Sequence, residues 1–366
     1  MLFIGACWGH WEQLKCFLLP SLLLWFVDRG ARIARTLLSH YNVLPETGKL
    51  GFSPAKALIS LFPDSQSGDV VRLDFQQQTG WEVGQHFFLC FLDGSVWQSH
   101  PFTPLSLPKV SGKSGSVTHS YVFRAKSGET KKIAEVAALK QQAATPDVDI
   151  GTRVILTGPY GVSIVDDLAS TSNVLCIAGG TGITYVLPVL LHLIENDDAA
   201  HRNVELVWVV RKAENVEWVA KELERLRTRS SITIMIFVTR DTQQIPPLDH
   251  KECDSDEKLQ SSRSSSDDGE KISTPALLSS AEGRPDLPLL LHNFIENNVR
   301  GPTTVFASGP AQMTSELRTA VAASNAGSKV WKGDERYNVR LVCDDRSEWC
   351  AESKIDRNRF LFARNM

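Results

Sequence analysis

The sequence predicts an α+β protein of two domains, an antiparallel β-barrel followed by a doubly wound α/β domain. Three observations predict this order. Short alternating apolar stretches separated by glycine and proline fill residues 46–168, continuous apolar strands alternate with helices in residues 169–366, and a short apolar helix precedes both. At 366 residues the chain is long enough for two domains that each bury a core.

The overall composition is that of an ordinary globular protein, with 42% hydrophobic and 22% charged residues. The formal net charge of −3 lacks the basic surplus of nucleic-acid-binding proteins, so we expect no nucleic-acid partner. The seven cysteines are scattered and never spaced C-x-x-C. This usage favours reduced thiols over a disulfide scaffold or a zinc site.

The N-terminal segment, residues 1–45, differs from the rest. Residues 1–27 hold two apolar runs, and neither alone reaches the roughly 20 apolar residues that a membrane-spanning helix needs. A basic linker with Arg29, Arg32 and Arg35 follows Trp25 and Phe26, as at the cytosolic edge of a membrane helix. Two interpretations stay open: residues 1–27 end a membrane helix, or they form a helix that is buried or docked on the surface.

The barrel region is predicted from short strands with turn signals between them. Alternating or apolar stretches at residues 70–75, 86–92, 119–125 and 153–156 are typical of strands, and residues 130–142 are typical of one helix. Glycine and proline at 79–80, 93–94 and 158–159 mark the turns.

The second domain shows strands and helices in alternation, which predicts a mostly parallel sheet. Strands are predicted at residues 173–178, 204–210, 232–238 and 303–307. One helix is predicted after the glycines that follow the first strand and runs through Leu193, and others are predicted at residues 218–226 and 311–323. Residues 241–287 are rich in serine and charge and cannot bury enough apolar surface to offset their ordering entropy. We therefore predict a disordered insert there, either a plain solvated loop or a phosphorylated tether.

Four local motifs are candidates for binding. The first follows the strand at 173–178 and opens a helix, where glycines let the backbone approach a pyrophosphate and the helix start offers N–H groups. The others lie at residues 100–106, 158–161 and 308–310, and the last would share the carboxyl edge of the sheet with the first. Taken singly, each is also typical of a structural turn or a proline-rich strand end.

Taken in order, the motifs carry a resemblance. His-Pro-Phe-Thr at 100–103, Gly-Pro-Tyr-Gly at 158–161, Ala-Gly-Gly-Thr-Gly-Ile-Thr at 178–184, Trp-Val-Val-Arg at 208–211 and Ser-Gly-Pro at 308–310 stand in sequence. This set resembles the ferredoxin-reductase-like cytosolic half of fungal ferric reductases, which share a superfamily with the NADPH oxidases. The resemblance runs from about Leu24 to Trp349 and is weaker at separating members of that superfamily.

The resemblance implies two cofactors, FAD and NADPH. For the flavin it implies binding by these residues: His100, Pro101, Phe102, Thr103, Ser106, Lys126, Gly128, Thr130, Gly158 and Gly161. For the nicotinamide dinucleotide it implies binding by these residues: Gly179, Gly180, Thr181, Gly182, Ile183, Thr184, Arg211, Ser308, Gly309 and Pro310. Arg211 ends a strand where a guanidinium can pair with a 2′-phosphate, which favours NADPH over NADH, although a solvent-facing arginine is the alternative.

Three residues are expected near the reacting rings. Thr103 would lie at the isoalloxazine edge, Ser308 beside the nicotinamide and Trp349 near the flavin. NADPH would give a hydride to the flavin, which passes electrons singly to a ferric or other one-electron acceptor. We expect no catalytic acid and no metal site in this chain.

Two departures from the family pattern bear on turnover. Ser308 stands where the family often has cysteine, and Ser347 stands where an aromatic ring would stack near the flavin. The family also carries electrons through haems held by paired histidines on membrane helices, whereas His10 is the single histidine in residues 1–27. We therefore expect haem in the parent family but not on this chain.

Three functions follow from these observations. The first is an NADPH-dependent, FAD-containing ferric or metal reductase module. The second is an NADPH-oxidase-branch module that reduces oxygen. The third is a degenerate, non-catalytic nucleotide-binding interaction protein. We expect membrane association through residues 1–35 with the catalytic module facing the cytosol, or a cytosolic protein if residues 1–27 do not insert.

Overall fold

The structure is a computed structural model that describes residues 11–43, 50–95, 98–111, 115–143, 150–196, 199, 202–228, 231–240 and 278–344. The chain forms two compact units, Met1–Ser163 and Ile164–Met366, which are described separately below. The sequence placed the change of domain at residues 168–169.

Unit 1 begins with helix α1, Trp11–Ser39, which is longer than the short apolar helix predicted and runs through the predicted basic linker. Asp28 and Arg32 stabilise this continuation because they lie one turn apart and pair at 2.9 Å. Most apolar side chains from Phe17 to Val27 are exposed. Among the described residues, no helix is both long enough and apolar enough to cross a membrane.

The rest of unit 1 is built on antiparallel strands. They are β1 (Tyr41–Val43), β2 (Leu50–Phe52), β3 (Ala55–Phe62), β4 (Val70–Gln77), β5 (His86–Phe91), β6 (Ser99–Phe102), β7 (Val110–Ser111), β8 (Ser116–Arg124) and β9 (Gly151–Tyr160), with helix α2 (Gly128–Ala143) after β8. β1 pairs with β2, and the other seven form one sheet in the order β6-β5-β9-β3-β4-β8-β7. Every pairing is antiparallel, as the period-two pattern predicted.

The core of unit 1 lies on one face of this sheet. Along β3 buried and exposed residues alternate from Ala55 to Ser60, because successive strand side chains point to opposite faces. Leu73, Phe87, Tyr121 and Leu156 are fully buried in one apolar cluster, and Ile133 of α2 closes it. The helix is therefore held to the sheet by its buried apolar stripe.

The end of α1 docks on β9. The buried ring of His40 accepts the Leu156 N–H at 2.8 Å through Nε2 and lies 3.3 Å from the Ser53 carbonyl oxygen through Nδ1. The Gln77 side-chain amide donates to the Ser39 carbonyl at 3.1 Å. Burial lowers the pKa of His40, so a neutral imidazole fills this position.

Unit 2 contains a six-stranded parallel sheet in the order β13-β12-β11-β10-β14-β15. The strands are β10 (Asn173–Gly179), β11 (Val204–Val210), β12 (Ile232–Val238), β13 (Leu278–Glu282), β14 (Thr303–Ser308) and β15 (Val339–Cys343). The helices are α3 (Ile183–Glu195), α4 (Ala220–Arg227), α5 (Leu287–Asn297), α6 (Ala311–Ser324) and α7 (Gly327–Trp331). The chain adds strands first on one side of β10 and then on the other, which is the doubly wound arrangement that was predicted.

Both faces of the unit 2 sheet are covered. Leu175, Ile177 and Val305 pack in a cluster with Phe294 of α5 and Leu317 of α6. Helix α3 contacts β10 and β14. This is why the central strands are continuous apolar runs rather than alternating ones.

Two predictions for unit 2 need correction. The predicted insert at 241–287 extends too far, because residues 278–282 form β13, which pairs in parallel with β12, and α5 begins at Leu287 with Asp286 as its N-cap. Its remaining part, residues 241–277, lies outside the described residues. The predicted helix at 218–226 starts as a 3₁₀ helix, Ala213–Val219, and becomes α-helical only at Ala220.

Candidate functional site

The candidate nucleotide site of unit 2 lies where the strand order reverses. β10 and β14 are direct neighbours with Ala178 opposite Ser308, so the loops that follow them leave the same carboxyl edge side by side. β10 leads out to β11 on its other side. Ligands of open α/β sheets bind at such a switch point, and two of the sequence-predicted motifs meet here.

The two loops approach each other so closely that they require glycine. A Cβ built on Gly179 would lie 2.7 Å from Pro310 Cδ, and one on Gly309 would meet the Met313 side chain. A Cβ on Gly182 would overlap the Ser308 carbonyl. The glycines therefore leave room beneath the loop for the Ser308 carbonyl and for the Pro310 and Met313 side chains.

The turn at Gly180–Gly182 is a 3₁₀ helix that leads directly into α3. Among the described residues no side chain caps this start, and Thr184 turns its hydroxyl back to the Thr181 carbonyl at 3.1 Å. The first amides of a helix have no intrahelical acceptor, and the helix dipole is positive at this end. The arrangement can therefore hold an anion such as a pyrophosphate.

Ser308 is buried at the last position of β14. A Cβ at Gly182 would stand 3.0 Å from its hydroxyl oxygen, so Ser308 lies under the glycine turn. The expected role of Ser308 beside a nicotinamide ring stays a prediction.

Arg211 follows β11 directly and has an exposed side chain. Arg240 follows the neighbouring strand β12, is also exposed, and its backbone N–H donates to the Arg211 carbonyl at 3.0 Å. Arg240 was not among the residues predicted from the sequence, because the adjacency of β11 and β12 is not visible along the chain. Two guanidinium-bearing residues thus follow adjacent strands at this edge.

In unit 1, the residues of the His-Pro-Phe-Thr motif lie on and just after β6. The His100 side chain is half-buried, and its Nε2 atom is buried with no hydrogen-bond partner among the described residues. Phe102 packs on the core instead, with its ring centroid 4.6 Å from that of Phe123. A buried nitrogen without a hydrogen-bond partner in the protein is suited to a hydrogen bond with a ligand, and a bound flavin could supply that partner.

Ser106 serves the sheet in this structure. Its hydroxyl donates to the Thr118 carbonyl at 2.7 Å and accepts the Ser120 N–H at 3.0 Å. Ser120 in turn donates its own hydroxyl to the Asp74 carboxylate at 2.5 Å. The expected flavin contact of Ser106 therefore stays a prediction, whereas its link to β8 is observed.

The start of α2 holds the other predicted flavin residues. Gly128 has φ of +63°, and no described residue lies within 4 Å of where a Cβ would be. Lys126 is exposed, and the Thr130 hydroxyl donates to the Ser127 carbonyl at 3.0 Å. A left-handed glycine before a helix gives a ligand close access to the first amides.

Glu129, which the sequence analysis did not single out, ties this helix start to the loop before β6. Its carboxylate accepts the Ser95 N–H and the Lys132 ammonium, each at 2.6 Å. The Lys132 hydrogen bond is the main cause that holds the pKa of Glu129 below its usual range, and His100 lowers it further. A lone glutamate after glycine gave no sequence signal of this contact.

The Gly-Pro-Tyr-Gly motif ends β9. Gly158 and Gly161 both have positive φ, and a Cβ on Gly158 would lie 2.8 Å from a ring carbon of Phe87. Arg32 of α1 lies over the Tyr160 ring, 5.3 Å from its centroid. The motif is therefore shaped by packing against β5 and α1. Trp349 and Ser347, both assigned near the flavin, lie outside the described residues.

Two protein families match the chain. The family described as "FAD-binding domain" matches residues 54–164, and the one described as "Ferric reductase NAD binding domain" matches residues 171–322. Together the two matches cover more than half of the chain.

The chain belongs to the ferric reductase family. It is 27% identical over 340 residues to a Saccharomyces cerevisiae "Ferric/cupric reductase transmembrane component 2", a match that covers 88% of this chain and 42% of the relative. It is 30% identical over 246 residues to an Aspergillus oryzae "Probable cell surface ferric reductase kap2", covering 62% and 29%. The chain thus spans less than half the length of each of these relatives.

Solved structures similar to the chain include two proteins with bound FAD. A ferredoxin NADP+ reductase from Neisseria gonorrhoeae with bound FAD and NADP is 12% identical, with a TM-score of 0.49, and the match covers 80% of this chain and 98% of that one. A flavohemoglobin from Malassezia yamatoensis with bound FAD and heme is 15% identical, with a TM-score of 0.46 over 79% and 60% of the two chains.

Proposed function

We propose that the chain is an NADPH-dependent, FAD-containing ferric or metal reductase module. The observation that carries the proposal is the presence, in one chain, of an FAD-binding domain followed by a ferric reductase NAD-binding domain. A bound flavin would supply the chemistry that couples a two-electron hydride donor to a one-electron acceptor. The chain's residues bind and orient the two cofactors.

The unit 1 residues fit a flavin. The unpartnered Nε2 of His100, the open left-handed turn at Gly128 and the start of α2 supply a hydrogen-bonding group and helix amides. We assign the pyrophosphate of FAD to the α2 start with Lys126 and Thr130, and the ring system to residues 100–103. Thr103, the last of these, would lie at the isoalloxazine edge.

NADPH is proposed over NADH because of charge at the end of β11. A 2′-phosphate adds two negative charges to the adenosine ribose, and Arg211 offers a planar guanidinium that can bind two phosphate oxygens. Arg240, whose backbone N–H donates to the Arg211 carbonyl, is also exposed and adds a second positive charge at this edge of the sheet. Ser308 and the glycine turn are assigned to the nicotinamide end and the pyrophosphate, respectively.

Membrane association through residues 1–35 with the module facing the cytosol is part of the proposal. Phe17 and Leu24 are each 70% exposed on α1, and Arg29, Arg32 and Arg35 follow them. An exposed apolar segment with a basic border is typical of a helix end at an anionic membrane surface. The physiological acceptor is proposed to be haem of a membrane partner or a ferric chelate.

The test uses the full chain reconstituted with FAD. Anaerobic reduction of ferric citrate by NADPH, followed by ferrous chelation, is expected to proceed with FAD and to stop without it. A chain that retains no flavin, or that binds both nucleotides without oxidising NADPH, would refute the reductase and favour the non-catalytic alternative. Superoxide formation that persists in air without ferric chelate would place the chain in the oxidase branch.

A further inference from the structure

Trp208 joins the core of unit 2 to the glycine turn. It lies on β11 between β10 and β12, opposite Ala178 and Ile236, and its side chain is fully buried. Its indole N–H donates to the Gly180 carbonyl oxygen at 2.9 Å. Because the donor lies inside the unit, this carbonyl oxygen points inward, away from the open side of the turn.

The Gly180 carbonyl also accepts the Ile183 N–H at the start of α3, so both of its lone pairs are engaged. Gly180 itself has φ of +56°, and among the described residues a Cβ there would meet nothing within 4 Å. No described residue therefore covers the outer side of the turn, while its carbonyl side is fixed by two donors.

Because of peptide geometry, the hydrogen bond from Trp208 to the Gly180 carbonyl also sets the direction of the Thr181 N–H. In a planar trans peptide the C=O and the following N–H point in opposite directions. Holding the Gly180 oxygen inward therefore directs the Thr181 N–H outward, over the open side. An inward carbonyl also keeps its negative end away from any anion bound at the helix start.

We propose that Trp208 is a positioning residue for the pyrophosphate of the bound dinucleotide, because its indole N–H sets the Gly180–Thr181 peptide so that the Thr181 amide faces the phosphate. The inference rests on the dinucleotide binding proposed above and deepens it. Trp208 also precedes Arg211 by three residues, and Arg211 directly follows β11, so the strand that sets the pyrophosphate amide leads into the 2′-phosphate arginine.

If Trp208 served only in packing, its substitution would have a different effect on ligand binding. A buried tryptophan on a central strand contributes apolar contact whether or not its N–H is used, and Trp218 packs against it edge-on with ring centroids 6.3 Å apart. Loss of packing would weaken the binding of every ligand of unit 2. Loss of the indole N–H should weaken the binding only of ligands that carry a pyrophosphate.

The experiment measures binding by calorimetry to the FAD-loaded full chain, wild type and Trp208→Phe. NADP+ carries the pyrophosphate, and adenosine 2′-monophosphate lacks it. Phenylalanine keeps an aromatic ring and removes the donor, so NADP+ should bind about threefold to tenfold more weakly, the loss of one hydrogen bond. Adenosine 2′-monophosphate should change less than about twofold, and the matched control Trp218→Phe should leave the ratio of the two affinities unchanged.

Equal weakening of both ligands, or no weakening of either, would overturn the inference while the proposed function stands. A wild-type chain that binds neither ligand would overturn the proposed function and the inference with it. If Trp208→Phe does not fold, the rate of hydrogen exchange at the Trp208 indole N–H of the wild type tests the inference instead. It should slow with NADP+ and not with adenosine 2′-monophosphate, and equal exchange rates would overturn the inference.

Discussion

His119 of β8 is held as a neutral imidazole inside unit 1. The side chain is fully buried, with the Trp81 ring 4.3 Å and the Phe75 ring 5.2 Å from its own centroid. Nε2 lies 2.9 Å from the Thr79 carbonyl oxygen, so it carries the proton, and Nδ1 lies 3.0 Å from the Tyr121 hydroxyl, which donates to it. A second proton, on Nδ1, would point at the Tyr121 hydroxyl and place a charge on a fully buried ring.

Burial lowers the pKa of His119 from 6.5 to about 4. Above pH 6.5 the ring is neutral in both the folded and the unfolded chain, so its contribution to the free energy of unfolding is fully present. As pH falls from 6.5 to about 4, the unfolded chain takes up a proton that the folded chain refuses. Since each pKa unit corresponds to about 1.4 kcal/mol, the free energy of unfolding of unit 1 should fall by about 3 kcal/mol over this window.

The assay compares urea unfolding of wild type and His119→Gln from pH 7.5 downward, with the pKa read from histidine-labelled NMR. Carboxylates also titrate at the acidic end, so the difference between the two proteins isolates His119. We expect the wild type to lose about 3 kcal/mol more than the variant, and His192→Gln in unit 2 to follow the wild type. Titration of His119 near 6.5, or parallel profiles for wild type and variant, would refute the reasoning.

The remaining predictions concern the two units separately. Gly182→Ala should weaken NADP+ binding at least about tenfold, because the new methyl overlaps the Ser308 carbonyl; unchanged calorimetric affinity would contradict this. Arg211→Gln should lower kcat/KM for NADPH about tenfold to a hundredfold and leave that for NADH within about twofold; equal losses would exclude a 2′-phosphate contact. His40→Phe should cost about 2 kcal/mol of unit 1 stability at pH 7.5 and speed hydrogen exchange at the Leu156 amide, which loses its acceptor; unaltered exchange would exclude the contact.

The secondary structure of the central strands was predictable from sequence. β11 and β12 were predicted with their observed limits, because strands buried on both faces appear as continuous apolar runs. β13 was missed because Leu278–Glu282 has no apolar pattern and becomes a strand only by pairing with β12. Helix α1 was predicted too short, since a basic stretch does not show that Asp28 and Arg32 continue the helix.

The sequence by itself determined the order of the two domains, the glycine and proline motifs and their place at strand ends, because each depends on residues close together along the chain. The tertiary structure alone decided the contacts between distant segments. Trp208 meets Gly180 across 28 residues, Glu129 meets Ser95 across 34, and His40 meets Leu156 across 116. Such partners are set by strand order and register, which no local pattern records.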